Sequence, residues 1–150
     1  MPQGIELISS LLSSADRVIT YEPLRSEVAI NELLGKSALA EALVIPPRPS
    51  LDPVSEAKRM VTAIGSSSTV ICIPGRLFDG SGTRHGQGGG WYDRFLAEVP
   101  REWLRIGFCF THQFSTTPLK RESWDQAMDY VVVVDQASGE ATVYSSEGIL

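Results

Sequence analysis

The sequence has little with which to build covalent or metal-held structure. Its two cysteines, Cys72 and Cys109, form no C-x-x-C pair, and each sits inside an apolar run. That excludes a disulfide framework and a zinc cluster, makes a reducing compartment the default, and reads both thiols as small core hydrophobes. The two histidines, His85 and His112, have no third ligand at transition-metal spacing. No apolar run approaches the roughly 20 residues of a membrane span. Cationic excess is also lacking: 13 Lys+Arg stand against 18 Asp+Glu, for a net charge of -5. Binding to nucleic acid or to an anionic membrane through net charge is not expected. The first residues, Met1 to Glu6, have neither the basic start nor the apolar stretch of a secretory leader, so a cytoplasmic location is expected. There is no internal repeat.

What remains is an ordinary globular composition, 43% hydrophobic and 21% charged over 150 residues, which is the size of one domain. Ile5, Ile8, Leu11 and Leu12 have helical spacing, and Arg17–Tyr21 reads as a strand stopped by Pro23. Glu27 to Leu34 suits a helix capped by Ser26 and ended by Gly35. Ser37 to Ile45 is ambiguous between helix and strand. After the stiff Pro46-Pro47-Arg48-Pro49 connector, Asp52-Pro53 reads as an N-cap followed by proline at the first helical position. The stripe Val54, Ala57, Met60, Val61, Ile64 would be that helix's buried face, with Gly65 at its end. Thr69–Ile73 is a strand covered on both faces. Trp91 to Val99 is a helix stopped by Pro100. Leu104–Phe110, Tyr130–Val134 and Ala141–Tyr144 are further strands, the last two close enough for an antiparallel hairpin. Short apolar strands alternating with helices predict an α/β sandwich with a mostly parallel sheet, whose ligand sits beyond the carboxyl ends of the strands.

The segment from Pro74 to Arg94 is the informative one. Gly80, Gly82, Gly86, Gly88, Gly89 and Gly90 crowd between a strand and a helix, where glycine costs roughly 0.5–1 kcal/mol relative to alanine in regular structure. Bare amides before a helix, with Arg84 nearby, suit an anion such as phosphate; a loop without a ligand is the plain alternative. A P-loop would need G-K-[ST] where Trp91-Tyr92 stand, and a dinucleotide fingerprint starting at Gly86 would need Gly or Ala at 91. No G-x-S-x-G elbow is present.

This stretch, Pro74-Gly75…Phe78-Asp79…Gly82…Arg84-His85-Gly86-Gln87-Gly88-Gly89-Gly90-Trp91-Tyr92-Asp93, resembles the signature P-G-x-x-F-D-x-x-G-x-R-L-G-x-G-x-G-Y-Y-D. That is the pattern of 5-formyltetrahydrofolate cyclo-ligases, also called methenyltetrahydrofolate synthetases. The likeness continues through Ile106-Gly107, Gln113, Asp125 and Asp129, and more weakly through Tyr21 to Leu34. It implies a three-layer α/β/α sandwich and an enzyme that uses ATP and Mg²⁺ to convert 5-formyltetrahydrofolate into 5,10-methenyltetrahydrofolate. In that reaction the formyl oxygen is phosphorylated, a neighbouring nitrogen closes the ring, and phosphate leaves. The partners implied are the small-molecule folate and ATP, with the chain a monomer or homodimer.

Carried over by position, the resemblance places Arg84, Gly86, Gln87, Gly88, Gly89, Gly90, Trp91 and Tyr92 at the ATP site, with Arg84 and Tyr92 catalytic. Asp93 and Asp129 match acids associated with Mg²⁺. Glu27 matches a folate-contacting position, and Trp91 stands where the family has a tyrosine, a flat face for the pterin. Taken alone, Asp93 is an acid in a helix first turn, Asp129 a cap at a strand's start, and Glu27 a solvated first-turn acid. Several positions depart from the family. Members normally begin with a further helix carrying a basic segment, whereas the first Arg here is Arg17 and the first Lys is Lys36, so a shortened member is expected. His85 replaces a leucine, and Val133-Val134 replace a Thr-acid pair. These departures keep open a second reading, a nucleotide- or folate-binding protein of the same fold without turnover.

Overall fold

Apolar runs set the frame. The computed structural model describes residues 4–86 and 89–150. Its strands are β1 (Arg17–Tyr21), β2 (Leu43–Ile45), β3 (Thr69–Pro74), β4 (Leu77–Asp79), β5 (Arg84–His85), β6 (Leu104–Phe110), β7 (Phe114–Ser115), β8 (Tyr130–Val134), β9 (Ala141–Ser145) and β10 (Gly148–Ile149). Among the described residues, seven of them form one sheet in the order β10-β9-β8-β6-β3-β1-β2. From β2 to β8 every pairing is parallel; β9 pairs antiparallel with β8, as the expected hairpin, and β10 adds a further antiparallel strand. β3 lies near the middle and is buried at every position, which is why it reads as an unbroken apolar run rather than an alternating one.

The helices are α1 (Ile5–Ser14), α2 (Ile30–Leu34), α3 (Pro53–Ile64) and α4 (Trp91–Leu96). Alternation along the strands assigns them to the two faces of the sheet. Ile71, Ile73, Val131 and Val133 pack with Ala57, Met60 and Ile64 of α3 and Phe95 and Leu96 of α4. Val70, Cys72, Ile106, Phe108 and Val132 pack with Ile8 and Leu12 of α1 and Ile30 of α2. The three-layer α/β/α sandwich follows. Cys72 and Cys109 fall in opposite layers, both buried, and burial pushes each thiol up to about 12. No helix among the described residues is long and apolar enough to cross a membrane.

Helix boundaries show where local signals were followed and where tertiary partners overrode them. Asp52 accepts from the Ser55 amide at 2.9 Å, Pro53 opens α3, and Gly65 ends it at φ 66°. The buried stripe is shifted, however: Glu56 is covered while Val54 is only half-covered, and the Glu56 carboxylate pairs with Arg59 one turn on. α2 begins at Ile30, not Glu27. The Val28 carbonyl accepts the Tyr21 hydroxyl at 2.8 Å, the Ser26 carbonyl accepts Gln113 Nε2 at 3.1 Å, and Glu27 Oε1 accepts the Leu24 amide at 2.8 Å. Those bonds make a turn of the residues expected to start the helix. α4 likewise stops at Leu96, short of Val99, and the Leu96 carbonyl accepts a guanidinium nitrogen of Arg105 at 3.2 Å.

The glycine-rich segment is more structured than a loop. β4 pairs antiparallel with β5 and parallel with β7, making a second small sheet. Two joints fix it to the main one. The fully buried Phe78 ring lies where a Cβ at Gly107 of β6 would have to be, and burial of such a ring contributes about 1.5–3 kcal/mol. Asp79, 2% exposed, accepts from the amides of Ser81 (3.0 Å), Thr83 (3.0 Å) and Leu119 (2.7 Å) and from the Ser81 hydroxyl (2.7 Å). Burial works against its ionisation, but these four donors outweigh burial and hold the carboxyl below the usual range.

Two stability predictions follow from these joints. Gly107→Ala should cost about 1–3 kcal/mol in denaturant unfolding, because Phe78 must leave its site; unchanged stability would refute the packing account. Asp79→Ala should cost about 2–4 kcal/mol at neutral pH, leaving buried donors unpaired. A carboxyl with a depressed folded value contributes in full above the ordinary value of about 3.9 and loses its contribution as pH falls through the lower one. Urea midpoints of wild type and variant should therefore converge as pH drops below about 4.

Candidate functional site

A cleft of about 770 Å³ opens at the carboxyl ends of the parallel strands, bounded by Tyr21 at the end of β1, Pro46 after β2 and Pro74 at the end of β3. This is where an open α/β sheet places its ligand. Arg84, Gly86, Gly90, Trp91, Tyr92 and Asp93 form one wall, and Glu122, Trp124 and Asp125, from the irregular segment before β8, form another.

Arg84 organises the first wall. It is 6% exposed, its Nε donates to the Pro74 carbonyl at 2.6 Å, and its Cζ lies 5.0 Å from the centroid of the Tyr92 ring. Its Nη1 and Nη2 have no hydrogen-bond partner among the described residues, so the fork is left available to the cleft. A Cβ at Gly86 would lie 3.1 Å from Nη2 and 3.2 Å from Nη1, tighter than ordinary contact. The glycine there leaves room for the fork. Burial lowers the guanidinium's basicity, and the negative field of Asp93, Tyr92, Glu27 and Asp125 opposes that shift.

The carboxylates answer this charge. Asp93 Oδ1 accepts the Gln126 amide at 3.3 Å. Burial raises its affinity for a proton and the neighbouring Asp125 adds to that, while the Gln126 amide, Arg84 and His85 work in the other direction. Asp125 Oδ2 accepts the Glu122 amide at 2.7 Å. Among the described residues no three His, Cys, Asp or Glu side chains converge as a metal cluster. Two neighbouring carboxylates beside an anion-facing arginine suit a hard cation that completes its shell with water and phosphate oxygens, as Mg²⁺ does. They do not suit a transition metal.

Aromatic surfaces complete the cleft. Trp91 Nε1 donates to the Leu51 carbonyl at 2.9 Å, and its ring stacks on Phe95 at 5.2 Å and 13°, so its indole is held rigidly. Trp124 is 64% exposed at the rim. Glu27 lines the floor, its carboxylate engaged by the Leu24 amide. At the mouth stand Arg48 and Lys120; His85 Nε2 donates to the Lys120 carbonyl at 2.9 Å.

Glu27, Arg84, Gly86, Gly90, Trp91, Tyr92 and Asp93, all singled out in the sequence, line this one cleft. Gln87 and Gly88 lie outside the described residues. Gly89 is exposed at φ 74°, does not line the cleft, and turns its carbonyl to Arg94 Nη2 at 2.9 Å. Because α4 has only six residues, positive charge in the cleft comes from side chains, Arg84 within it and Arg48 and Lys120 at its mouth, rather than from a helix dipole.

Asp129 is the expectation that the structure corrects. It precedes β8 and so sits at the amino edge of the parallel sheet, away from the cleft. Its Oδ2 accepts the Arg105 amide at 2.8 Å and its Oδ1 accepts Arg101 at 3.2 Å. The carboxylate standing beside Asp93 is Asp125, with Glu122 on the same wall. Neither has a periodic signal, since both lie in irregular chain; the only sequence pointer was Asp125's place within the resemblance.

The family model of 5-formyltetrahydrofolate cyclo-ligases matches residues 53–134, from α3 to the end of β8. No curated protein matches the chain. Among solved structures, the 5,10-methenyltetrahydrofolate synthetase of Aquifex aeolicus is similar over 94% of this chain and 80% of its own, at 22% identity and a TM-score of 0.56. That of Mycoplasma pneumoniae is similar over 85% and 79%, at 19% identity and a TM-score of 0.55. At such identities these two likenesses speak for the fold. The family match covers more than half the chain and contains the whole glycine-rich segment and both cleft aspartates, and on that footing the chain belongs to the 5-formyltetrahydrofolate cyclo-ligase family.

Proposed function

We propose that the protein is an ATP- and Mg²⁺-dependent 5-formyltetrahydrofolate cyclo-ligase, converting 5-formyltetrahydrofolate to 5,10-methenyltetrahydrofolate. The observation that carries the reading is Arg84. Its cation is buried, pinned by the Pro74 carbonyl and the Tyr92 ring, and left with its terminal nitrogens toward a cleft edged by carboxylates.

The chemistry asks for little covalent work from the protein. The formyl oxygen attacks the terminal phosphorus of ATP, which releases ADP. The neighbouring nitrogen then attacks the formyl carbon, the C–O bond breaks, phosphate departs, and that nitrogen loses its proton. The carbonyl oxygen, a poor leaving group, becomes a good one. Catalysis is then positioning and charge neutralisation. Arg84 faces the transferring phosphoryl group with a bidentate fork whose orientation is fixed before the substrate arrives. Tyr92 supports that fork from below. Asp93 and Asp125 would hold Mg²⁺, which supplies charge neutralisation at the phosphate oxygens. Trp91, held on Phe95, and Trp124 at the rim offer flat faces to the heteroaromatic rings. Glu27, neighbouring Tyr21 in the cleft floor, is the acceptor for ring N–H groups of the folate.

ATP-dependent appearance of the methenyl chromophore from 5-formyltetrahydrofolate tests the reading directly. Binding of both ligands without turnover would instead favour a non-catalytic nucleotide- and folate-binding protein. Arg84→Lys should lower kcat/KM by on the order of 10²–10³, since an ammonium cannot reproduce a fork aimed at developing charge; wild-type kinetics in that variant would remove Arg84 from the reaction. Asp93→Asn should raise the Mg²⁺ concentration needed for half-maximal rate by at least about tenfold while thermal stability holds or improves, because a partly buried charge is removed. An unaltered Mg²⁺ requirement would take Asp93 out of the metal site.

A further inference from the structure

Arg105 is the largest side chain that the fold buries completely, at 1% exposure, and it lies in the central strand β6 beneath α4. Burying a guanidinium is expensive, and an apolar residue of similar volume commonly packs such a site at equal or better stability. Its contacts are not those of a simple ion pair. Nη2 donates to the Leu96 carbonyl at the end of α4 at 3.2 Å, and Nη1 donates to Gln126 Oε1 at 2.8 Å. Nε is buried and has no partner among the described residues. Burial and the nearby Arg101 bring its basicity down to about 10, with Asp129 opposing, so it remains a cation at neutral pH.

Gln126 is the informative partner. Its backbone amide is the donor to Asp93 Oδ1, and it directly follows Asp125. The segment that carries Glu122, Trp124 and Asp125 has neither helix nor strand. It is tied at one end by the Leu119 amide to Asp79 and by Arg121 to the Thr83 hydroxyl, and at the other by the Met128 amide to the Gly82 carbonyl. Between Arg121 and Met128, Gln126 supplies the hydrogen bonds to the body of the protein that the described residues contain. A glutamine held through both side chain and backbone cannot move without shifting Asp93 and Asp125 relative to each other.

We propose that Arg105 is a positioning residue of the cleft: through Gln126 it fixes the irregular wall so that Asp93 and Asp125 keep the separation that binds a metal–nucleotide. The ligand class rests on the cyclo-ligase reading; the mechanical coupling does not. The buried cation is retained for orientation, and its contact with the cleft is indirect.

Three measurements on the full chain test this. Gln126→Leu removes the acceptor for Nη1, and Gln126→Glu keeps one. In Gln126→Leu, the calorimetric Kd for Mg–ATP should rise about tenfold or more, as for outer-shell partners of metal ligands, and exchange protection of the residue-126 amide should drop. Gln126→Glu should restore both. Arg105→Lys, which can reach one acceptor at a time, should fall between them; if it fails to fold, the Gln126 pair decides. Wild-type affinity in Gln126→Leu, or a Glu variant as impaired as the Leu variant, would overturn the proposal. Lost protection with an unchanged Kd would overturn it too, since the segment would then be held for stability alone. Wild-type turnover of 5-formyltetrahydrofolate judges the cyclo-ligase reading separately, and amide exchange judges the coupling even where no nucleotide binds.

Discussion

A buried guanidinium whose fork has no protein partner among the described residues is the constraint from which the site is built. Arg84 is affordable there only because three things coincide. The Pro74 carbonyl takes one N–H, the Tyr92 ring lies against the cation, and Asp93, Glu27 and Asp125 supply opposite charge through a low-dielectric medium. Each condition draws on a different part of the chain. Pro74 ends β3, Tyr92 is in the first turn of α4, Glu27 belongs to the turn before α2, and Asp125 to the segment before β8. The cleft is therefore the place where four separate connections at the carboxyl ends of the strands must agree.

That agreement depends on the small sheet. β5 contributes Arg84 itself, β4 contributes Phe78 and Asp79, and β7 completes the ladder. Phe78 seats the sheet on Gly107, while Asp79 gathers the amides of Ser81, Thr83 and Leu119. A residue at 79 without an acceptor side chain would leave four donors unpaired in a place where water is scarce. The F-D pair in the glycine-rich segment is thus structural, and its effect on the site is to set where β5, and with it Arg84, comes to rest. Gly82 belongs to the same joint: it adopts φ 91°, and a side chain there would meet the Met128 backbone.

Much of this was legible in the sequence. β1, β6 and β8 have the expected boundaries, because their apolar runs are bounded by turn or polar residues, and α3 follows its cap, its proline and its glycine. Of the motif residues, Arg84, His85, Gly86, Gly90, Trp91, Tyr92 and Asp93 line one cleft, while Gly89 turns away from it. Two helix boundaries escaped because their causes lie far off in the chain. The start of α2 is displaced by bonds to Tyr21 and Gln113, and the end of α4 by Arg105. The small sheet has no signal in the sequence, because β5 and β7 have two residues each, too few to show any period. Asp129 matched a metal position by alignment of letters, yet a residue preceding a parallel strand is delivered to the amino edge of the sheet, opposite the cleft.

The two buried arginines make the division of labour plain. Both lie in strands, both are almost wholly covered, and both lose basicity to burial. They differ in where the terminal nitrogens end. Arg105 spends both on protein acceptors, the Leu96 carbonyl and Gln126, and so converts its charge into rigidity at the back of α4. Arg84 places Nε on the Pro74 carbonyl, and its fork has no protein partner among the described residues. A guanidinium whose terminal nitrogens are taken by protein acceptors can orient neighbours but cannot answer new negative charge, whereas one whose terminal nitrogens have no protein partner among the described residues can. Under the proposed cyclo-ligase reading, that difference suits Arg84 to meet a phosphate, and the stiffness proposed for Arg105 would matter because a fork is selective only when the carboxylates beside it stay in place.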